Sequence, residues 1–166
     1  QTFGFHLAKL DIRQNSAYHE KAITQILEAS GATDTDYATW NEEKRCTFIN
    51  NELKSNRPFL IANTSCGKEA DNVLGYFREV KRYVDQYGSN GVGTIIVSMT
   101  RSLSDLLVVY LFLREVGLKS AKLPVAPLLE TIDDLIAGPD ILKAFLSHPV
   151  VKKERKNNDD VVQEVM

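Results

Sequence analysis

Thr94-Ile-Ile-Val-Ser98 decides the fold. It is a continuous β-branched run with no polar alternation, the pattern of a strand buried on both faces. Such strands belong to parallel sheets whose crossover helices cover the faces. The flanking sequence supplies those helices. Upstream, Val73, Leu74, Phe77, Val80, Val84 and Tyr87 recur at helical spacing and predict a long helix over about 69–87, and Gly88, Gly91 and Gly93 punctuate the loop that follows. Downstream, Ser102 or Ser104 is placed to cap a helix running to about Val116, and Gly117 closes it.

Further out the same alternation continues. Leu123-Pro-Val-Ala-Pro-Leu-Leu129 is a second apolar run and predicts a strand over 123–129, although its two prolines are awkward for a central strand. Glu130-Thr-Ile-Asp-Asp134 opens a further helix, Gly138-Pro139 is expected to break it, and a short helix over about 140–147 ends at His148-Pro149. Towards the N-terminus, loose alternation predicts a strand over 5–12. Asn15 or Ser16 then caps a helix carrying Ala17, Ile23, Ile26 and Leu27, which Gly31 ends. A helix over about 41–54 turns Cys46, Phe48, Ile49 and Leu53 inward, and Pro58 biases Arg57 away from helix. Phe59-Leu-Ile-Ala62 reads as strand or buried loop, residues 152–160 as a solvated charged loop or helix end, and 161–166 as a nascent strand. The fold class is therefore α/β with parallel strands. An open doubly wound sheet and part of a TIM-type (β/α) barrel both fit this order.

The 166 residues suit one domain, and 43% apolar residues suffice for a core. With 20 Lys and Arg against 22 Asp and Glu, the net charge is −2 and the pI about 5.9, which argues against a dedicated nucleic-acid binder. No apolar run approaches a membrane span. Two cysteines, Cys46 and Cys66, make no disulfide framework and fit a reducing compartment. The chain opens at Gln1 and stops at the beginning of a strand, so a piece of a larger protein is expected.

Parallel α/β folds gather ligands at the carboxyl ends of their strands. Those ends carry Arg13, Ser98, Arg101 and Glu130, which can converge on one site. Arginine offers a planar fork of donors for phosphate or carboxylate. Glu130 offers hard oxygens for Mg²⁺ or Mn²⁺. Asp11 could add a ligand or pair with Arg13. Residue types leave blander roles open, since a strand-end arginine also serves in ion pairs and a glutamate at a helix start complements the helix dipole.

Other candidates are weaker. His6, His19 and His148 lack metal-ligand spacing. His19 stands near a helix start and could cap it or approach the strand end. Cys46 reads as core, and Cys66 has no Cys-x-x-Cys partner. Gly88-Ser-Asn-Gly-Val-Gly93 precedes a strand and lacks the Lys-Ser/Thr ending of a phosphate loop. Tyr76, Phe77, Tyr83 and Tyr87 form no stacking platform for bases.

At its strand ends the sequence resembles the phosphoenolpyruvate carboxylase family. Leu10-Asp-Ile-Arg-Gln14, with Ser16 and His19, is similar to the family's Asp-Ile-Arg-Gln-Glu-Ser-x-x-His, with Asn15 in place of Glu. Leu53 and Arg57-Pro58 match Leu-x-x-x-Arg-Pro. Val97-Ser-Met99 with Ser104-Asp-Leu-Leu107 resembles Ile-Ser-Met and Ser-Asp-Val-Leu. Pro124-Val-Ala-Pro-Leu-Leu-Glu-Thr-Ile-Asp-Asp-Leu135 resembles Val-x-Pro-Leu-Phe-Glu-Thr-Leu-Asp-Asp-Leu, with Leu129 in place of Phe. The matches are in order along nearly the whole chain.

The resemblance implies a lyase built around a (β/α)₈ barrel, of which residues 1–166 form a single fragment. It implies a cytoplasmic, homo-oligomeric parent that uses Mg²⁺ or Mn²⁺ to carboxylate phosphoenolpyruvate with bicarbonate, giving oxaloacetate and phosphate. This is carbon dioxide fixation feeding the tricarboxylic acid cycle, with no nucleic-acid or membrane partner. By position, Arg13 matches a catalytic, substrate-binding arginine near the phosphate and Glu130 a metal-binding glutamate. The family's Thr-Ala-His-Pro-Thr, Gly-Tyr-Ser-Asp-Ser and Gly-Arg-Gly-Gly stretches would lie outside these residues. The fragment alone is therefore expected to be inactive and to hold metal weakly. Another barrel enzyme acting on a phosphorylated or enolisable small acid, or a non-catalytic carboxylase-like module, are the alternatives.

Overall fold

The structure, a computed structural model, describes residues 8–61, 64–118, 123–156 and 163–166. Three parallel strands, β1 (Leu10–Asn15), β2 (Val92–Ser98) and β3 (Val125–Pro127), form one sheet in the order β1-β2-β3. Among the described residues six α-helices accompany them, α1 (Ser16–Ala29), α2 (Glu42–Leu53), α3 (Lys68–Tyr87), α4 (Leu103–Glu115), α5 (Ile132–Ser147) and α6 (Pro149–Lys156), with a short 3-10 helix at Tyr37–Thr39. The α/β class and the parallel pairing match the sequence reading. Among the described strands, spatial order follows chain order.

The β-branched run is buried on both faces, as its pattern predicts. Ile95 and Val97 join Val125 in the core, where they meet Ile23, Ile26 and Leu27 of α1, Leu74 and Phe77 of α3, and Leu107 and Phe112 of α4. Thr94, Ile96 and Ser98 point to the other face and are also buried, beside Ala126. Arg13 lies opposite Ile96 in the register and so shares this second face.

β1 corrects the first expected strand. It spans Leu10–Asn15, not 5–12, and residues 5–7 and His6 lie outside the described residues. Apolar alternation pointed upstream, but backbone pairing continues through the polar end: Arg13, Gln14 and Asn15 stand opposite Ile96, Val97 and Ser98. The register shifts between Leu10 and Ile12, and there the Asp11 carboxylate accepts the Thr94 N–H at 2.8 Å. Gly93 makes this possible, since a Cβ on it would stand 2.1 Å from Asp11 Oδ1. The glycine-rich stretch therefore serves strand approach.

The second correction is α5, which runs unbroken through Gly138-Pro139. The proline removes one hydrogen bond, to the Leu135 carbonyl, in a turn where Leu135 and Ile136 are exposed to water. A capping box between Thr131 and Asp134 holds the N-terminus, and Ile141 and Phe145 are buried beyond the proline. Gly138 lets α5 approach Leu129, whose Cδ1 would stand 2.6 Å from a Cβ there. His148-Pro149 ends the helix as expected, and α6 starts at the proline.

Smaller expectations resolve similarly. Asn15, not Ser16, caps α1 by accepting the Ala17 N–H. Ser102 is the N-cap of α4 but its side chain caps no backbone N–H, and the Glu42 carboxylate of α2 accepts both the N–H and the hydroxyl of Ser104. Phe59 and Leu60 are loop, their N–H groups held by Glu115, and residues 62–63 lie outside the described residues. β3 is shorter than 123–129, although just before it the Pro124 carbonyl already accepts the Ile95 N–H of β2. Of the nascent strand, 161–162 lie outside the described residues. Residues 163–166 run beside β3, where Met166 N–H donates to Pro127 O and Leu129 N–H to Met166 O. Among the described residues no helix is long and apolar enough to cross a membrane.

Candidate active site

The carboxyl ends of the three strands bring together groups far apart in sequence. Arg13 Nη2 donates to Glu130 Oε1 at 3.0 Å across 117 positions. β1 presents Arg13 three residues before α1 begins, and Glu130 follows β3 at the mouth of α5. Between them lies the end of β2. Met99 N–H donates to Glu130 Oε2 at 3.0 Å, and the Met99 carbonyl accepts the Ser16 hydroxyl at 2.7 Å. The Asp134 carboxylate accepts the Glu130 and Thr131 N–H groups and fixes the backbone from which Glu130 projects.

The Arg13 side chain is 58% exposed and that of Glu130 32%. An ion pair this open contributes about 0–1 kcal/mol to stability. It is a pair that an incoming ligand can exchange: Arg13 can turn its donor fork to an anion and free a hard carboxylate oxygen.

Three other sequence candidates do not join the pair. Arg101 is engaged by Asp105 Oδ1 at 3.1 Å and by Glu20 Oε1 at 2.8 Å, and Glu20 also holds Arg45 at 2.5 Å. Ser98 is buried beneath the strand end. Asp11 is taken up by Thr94.

Among the described residues the histidines and cysteines are structural. His19 is buried against Phe112, its ring centroid 5.2 Å away, and Nε2 lies 3.0 Å from the Tyr76 hydroxyl. It neither caps α1 nor reaches the strand end, and burial lowers its pKa to about 3. His148 accepts the Val150 N–H at Nδ1 and so donates from Nε2 to Asn50, 2.7 Å away. Burial, with a hydrogen bond to Glu42, pushes the Cys46 thiol up to about 12, and burial raises Cys66. Neither is a poised nucleophile.

Among the described residues no three His, Cys, Asp or Glu side chains are grouped to hold a metal ion. Glu130 fits a lesser demand. Mg²⁺ commonly takes one or two carboxylates and completes its octahedron with water and substrate oxygens. Each Glu130 oxygen has a single partner in Arg13 or Met99, and a carboxylate has about four lone-pair sites. The chain offers one ligand of such a site.

Sequence reasoning missed Met99 and Ser16. Met99 acts through its backbone, with φ of 55°. No side-chain signal marks that position.

Comparison with known proteins gives matches along the whole chain. The family model described as "Phosphoenolpyruvate carboxylase" matches residues 1–166. A phosphoenolpyruvate carboxylase of Rhodopseudomonas palustris is 40% identical over 99% of this chain, one of Rhodothermus marinus 37% over 93%, and one of Aromatoleum aromaticum 34% over 100%. The chain spans 18%, 18% and 19% of their lengths, respectively.

Proposed function

The chain belongs to the phosphoenolpyruvate carboxylase family, and we propose that it contributes part of the active site of such an enzyme, joining phosphoenolpyruvate and bicarbonate to give oxaloacetate and phosphate. The reading is carried by one observation: Arg13 and Glu130 meet at the carboxyl ends of β1 and β3, exposed and held by little else than each other and Met99. In this reading Arg13 is the catalytic, substrate-binding cation, gripping the phosphate of phosphoenolpyruvate. Glu130 is one ligand of Mg²⁺ or Mn²⁺, with the others outside these residues. When bound, the cation supplies Lewis-acid stabilisation of developing oxyanion charge. Arg13 orients the anionic substrate and adds fixed positive charge where negative charge grows.

The sequential parallel order, together with the hydrogen bonds of Met166 to β3, supports three strands and the start of a fourth in a (β/α)₈ barrel. The parent is then a cytoplasmic homo-oligomeric lyase that fixes carbon dioxide for the tricarboxylic acid cycle. Departures from the family pattern have structural occupations: Asn15 caps α1, and Leu129 packs at Gly138. They give no support to a non-catalytic module.

The test uses the full-length enzyme. R13A should lower kcat/KM for phosphoenolpyruvate by about 100-fold or more, as loss of an oxyanion-stabilising donor does. E130Q should raise the Mn²⁺ concentration needed for activity. Parent values in both variants, or turnover by residues 1–166 alone, would refute the proposal.

A further inference from the structure

Met99 is the one non-glycine residue with positive φ among those described, at 55°. A left-handed residue bearing a Cβ costs about 1–2 kcal/mol. Its side chain does not repay that cost: it is 36% exposed and takes no part in the core. The benefit lies in the backbone. In this conformation the N–H of Met99 reaches Glu130 Oε2 and its carbonyl receives the hydroxyl of Ser16, a side chain only 1% exposed. The next residue, Thr100, donates its N–H to Leu128 O and its hydroxyl to Val97 O, so the chain is tied on both sides of the turn. One strained peptide therefore links the start of α1 to the carboxylate after β3.

We infer that Met99 is a positioning residue: its left-handed backbone, anchored by Ser16, orients the Glu130 carboxylate for cation binding. The inference rests on the reading of Glu130 as a cation ligand. With Oε2 held by the Met99 N–H, the face of the carboxylate towards Arg13 is the one offered to an incoming ion. An extended residue at 99 would carry the N–H away and leave Glu130 to Arg13 alone. Partners that orient a metal ligand typically account for 10–100-fold in metal affinity.

The test is Mn²⁺ binding to the full-length protein without substrate, read from the electron paramagnetic resonance signal of free Mn²⁺. Valine is β-branched and resists positive φ, whereas glycine accepts it freely and asparagine tolerates it. M99V should weaken Mn²⁺ binding by about 10–100-fold. M99G and M99N should stay close to the parent, although both delete the methionine side chain. If M99V does not fold, M99A and S16A replace it, each expected to weaken binding in the same direction. The inference is overturned if glycine weakens binding as much as valine, or if none of the variants changes it. E130Q is measured in parallel. Unchanged Mn²⁺ binding there removes Glu130 as a ligand and the inference with it. Weakened binding there beside a flat Met99 series removes the inference alone.

Discussion

Replacing His19 with phenylalanine should abolish much of the acid sensitivity of this fold between pH 6.5 and pH 5. His19 is 1% exposed, and burial lowers its pKa from 6.5 to about 3. The folded chain therefore keeps the ring neutral at pH 5, while the unfolded chain protonates it. The unfolded state binds more protons over that interval, so stability is complete above about pH 6.5 and is lost as pH falls towards 3. From a shift of this size the loss between pH 8 and pH 5 is about 2 kcal/mol. His148, also lowered by burial, adds a contribution of the same sign that the variant retains. The carboxylates held below their usual range, Asp34, Glu69, Asp71 and Asp134, lose stability mainly below about pH 4.5, outside this window. H19F also deletes the hydrogen bond to Tyr76, worth about 1 kcal/mol, but that cost is the same at both pH values. Urea unfolding of the chain and of H19F at pH 8 and pH 5 isolates the effect. The variant should lose about 2 kcal/mol less than the parent over the interval. Equal losses would refute a buried neutral His19.

Glu20 holds Arg45 and Arg101 together, and the Glu20 and Arg45 side chains are only 13% and 12% exposed. E20Q should destabilise the chain by about 3 kcal/mol, because it strands a nearly buried guanidinium, and an unchanged urea midpoint would contradict that. G93A should push the Asp11 carboxylate off the Thr94 N–H, costing about 2 kcal/mol and speeding exchange of the Thr94 amide, and full amide protection in the variant would show that the bulge does not need the glycine.

The elements legible in the sequence are those whose side chains announce their surroundings. The run at 94–98 could be read because every residue in it is buried, and the apolar spacing of α3 predicts its span to within a residue. β1 was displaced because its last residues are polar and its pairing is made by the backbone. The continuity of α5 depends on a proline whose lost bond falls on the wet side of the helix, and exposure of that turn cannot be read from Gly138-Pro139 themselves. The cap on Ser104 comes from Glu42, 62 residues earlier, so no local signal for it exists.

The site divides along the same line. Arg13 and Glu130 could be nominated because parallel strands must deliver their carboxyl ends to one edge, whatever the sequence distance between them. What holds them was hidden. Ser16 reads as a cap candidate, but its hydroxyl goes to Met99, and the cap is Asn15. Methionine has no preference for positive φ, so nothing at position 99 marks the turn. The exposed ion pair adds little to stability, whereas the frame around it, with Ser16 and Thr100 buried, is hydrogen-bonded and strained at Met99. A fold that needed only a salt bridge here would not require the strained peptide. The strain makes sense if the orientation of the Glu130 carboxylate matters more than its attraction to Arg13, as it must when an ion is to replace the arginine.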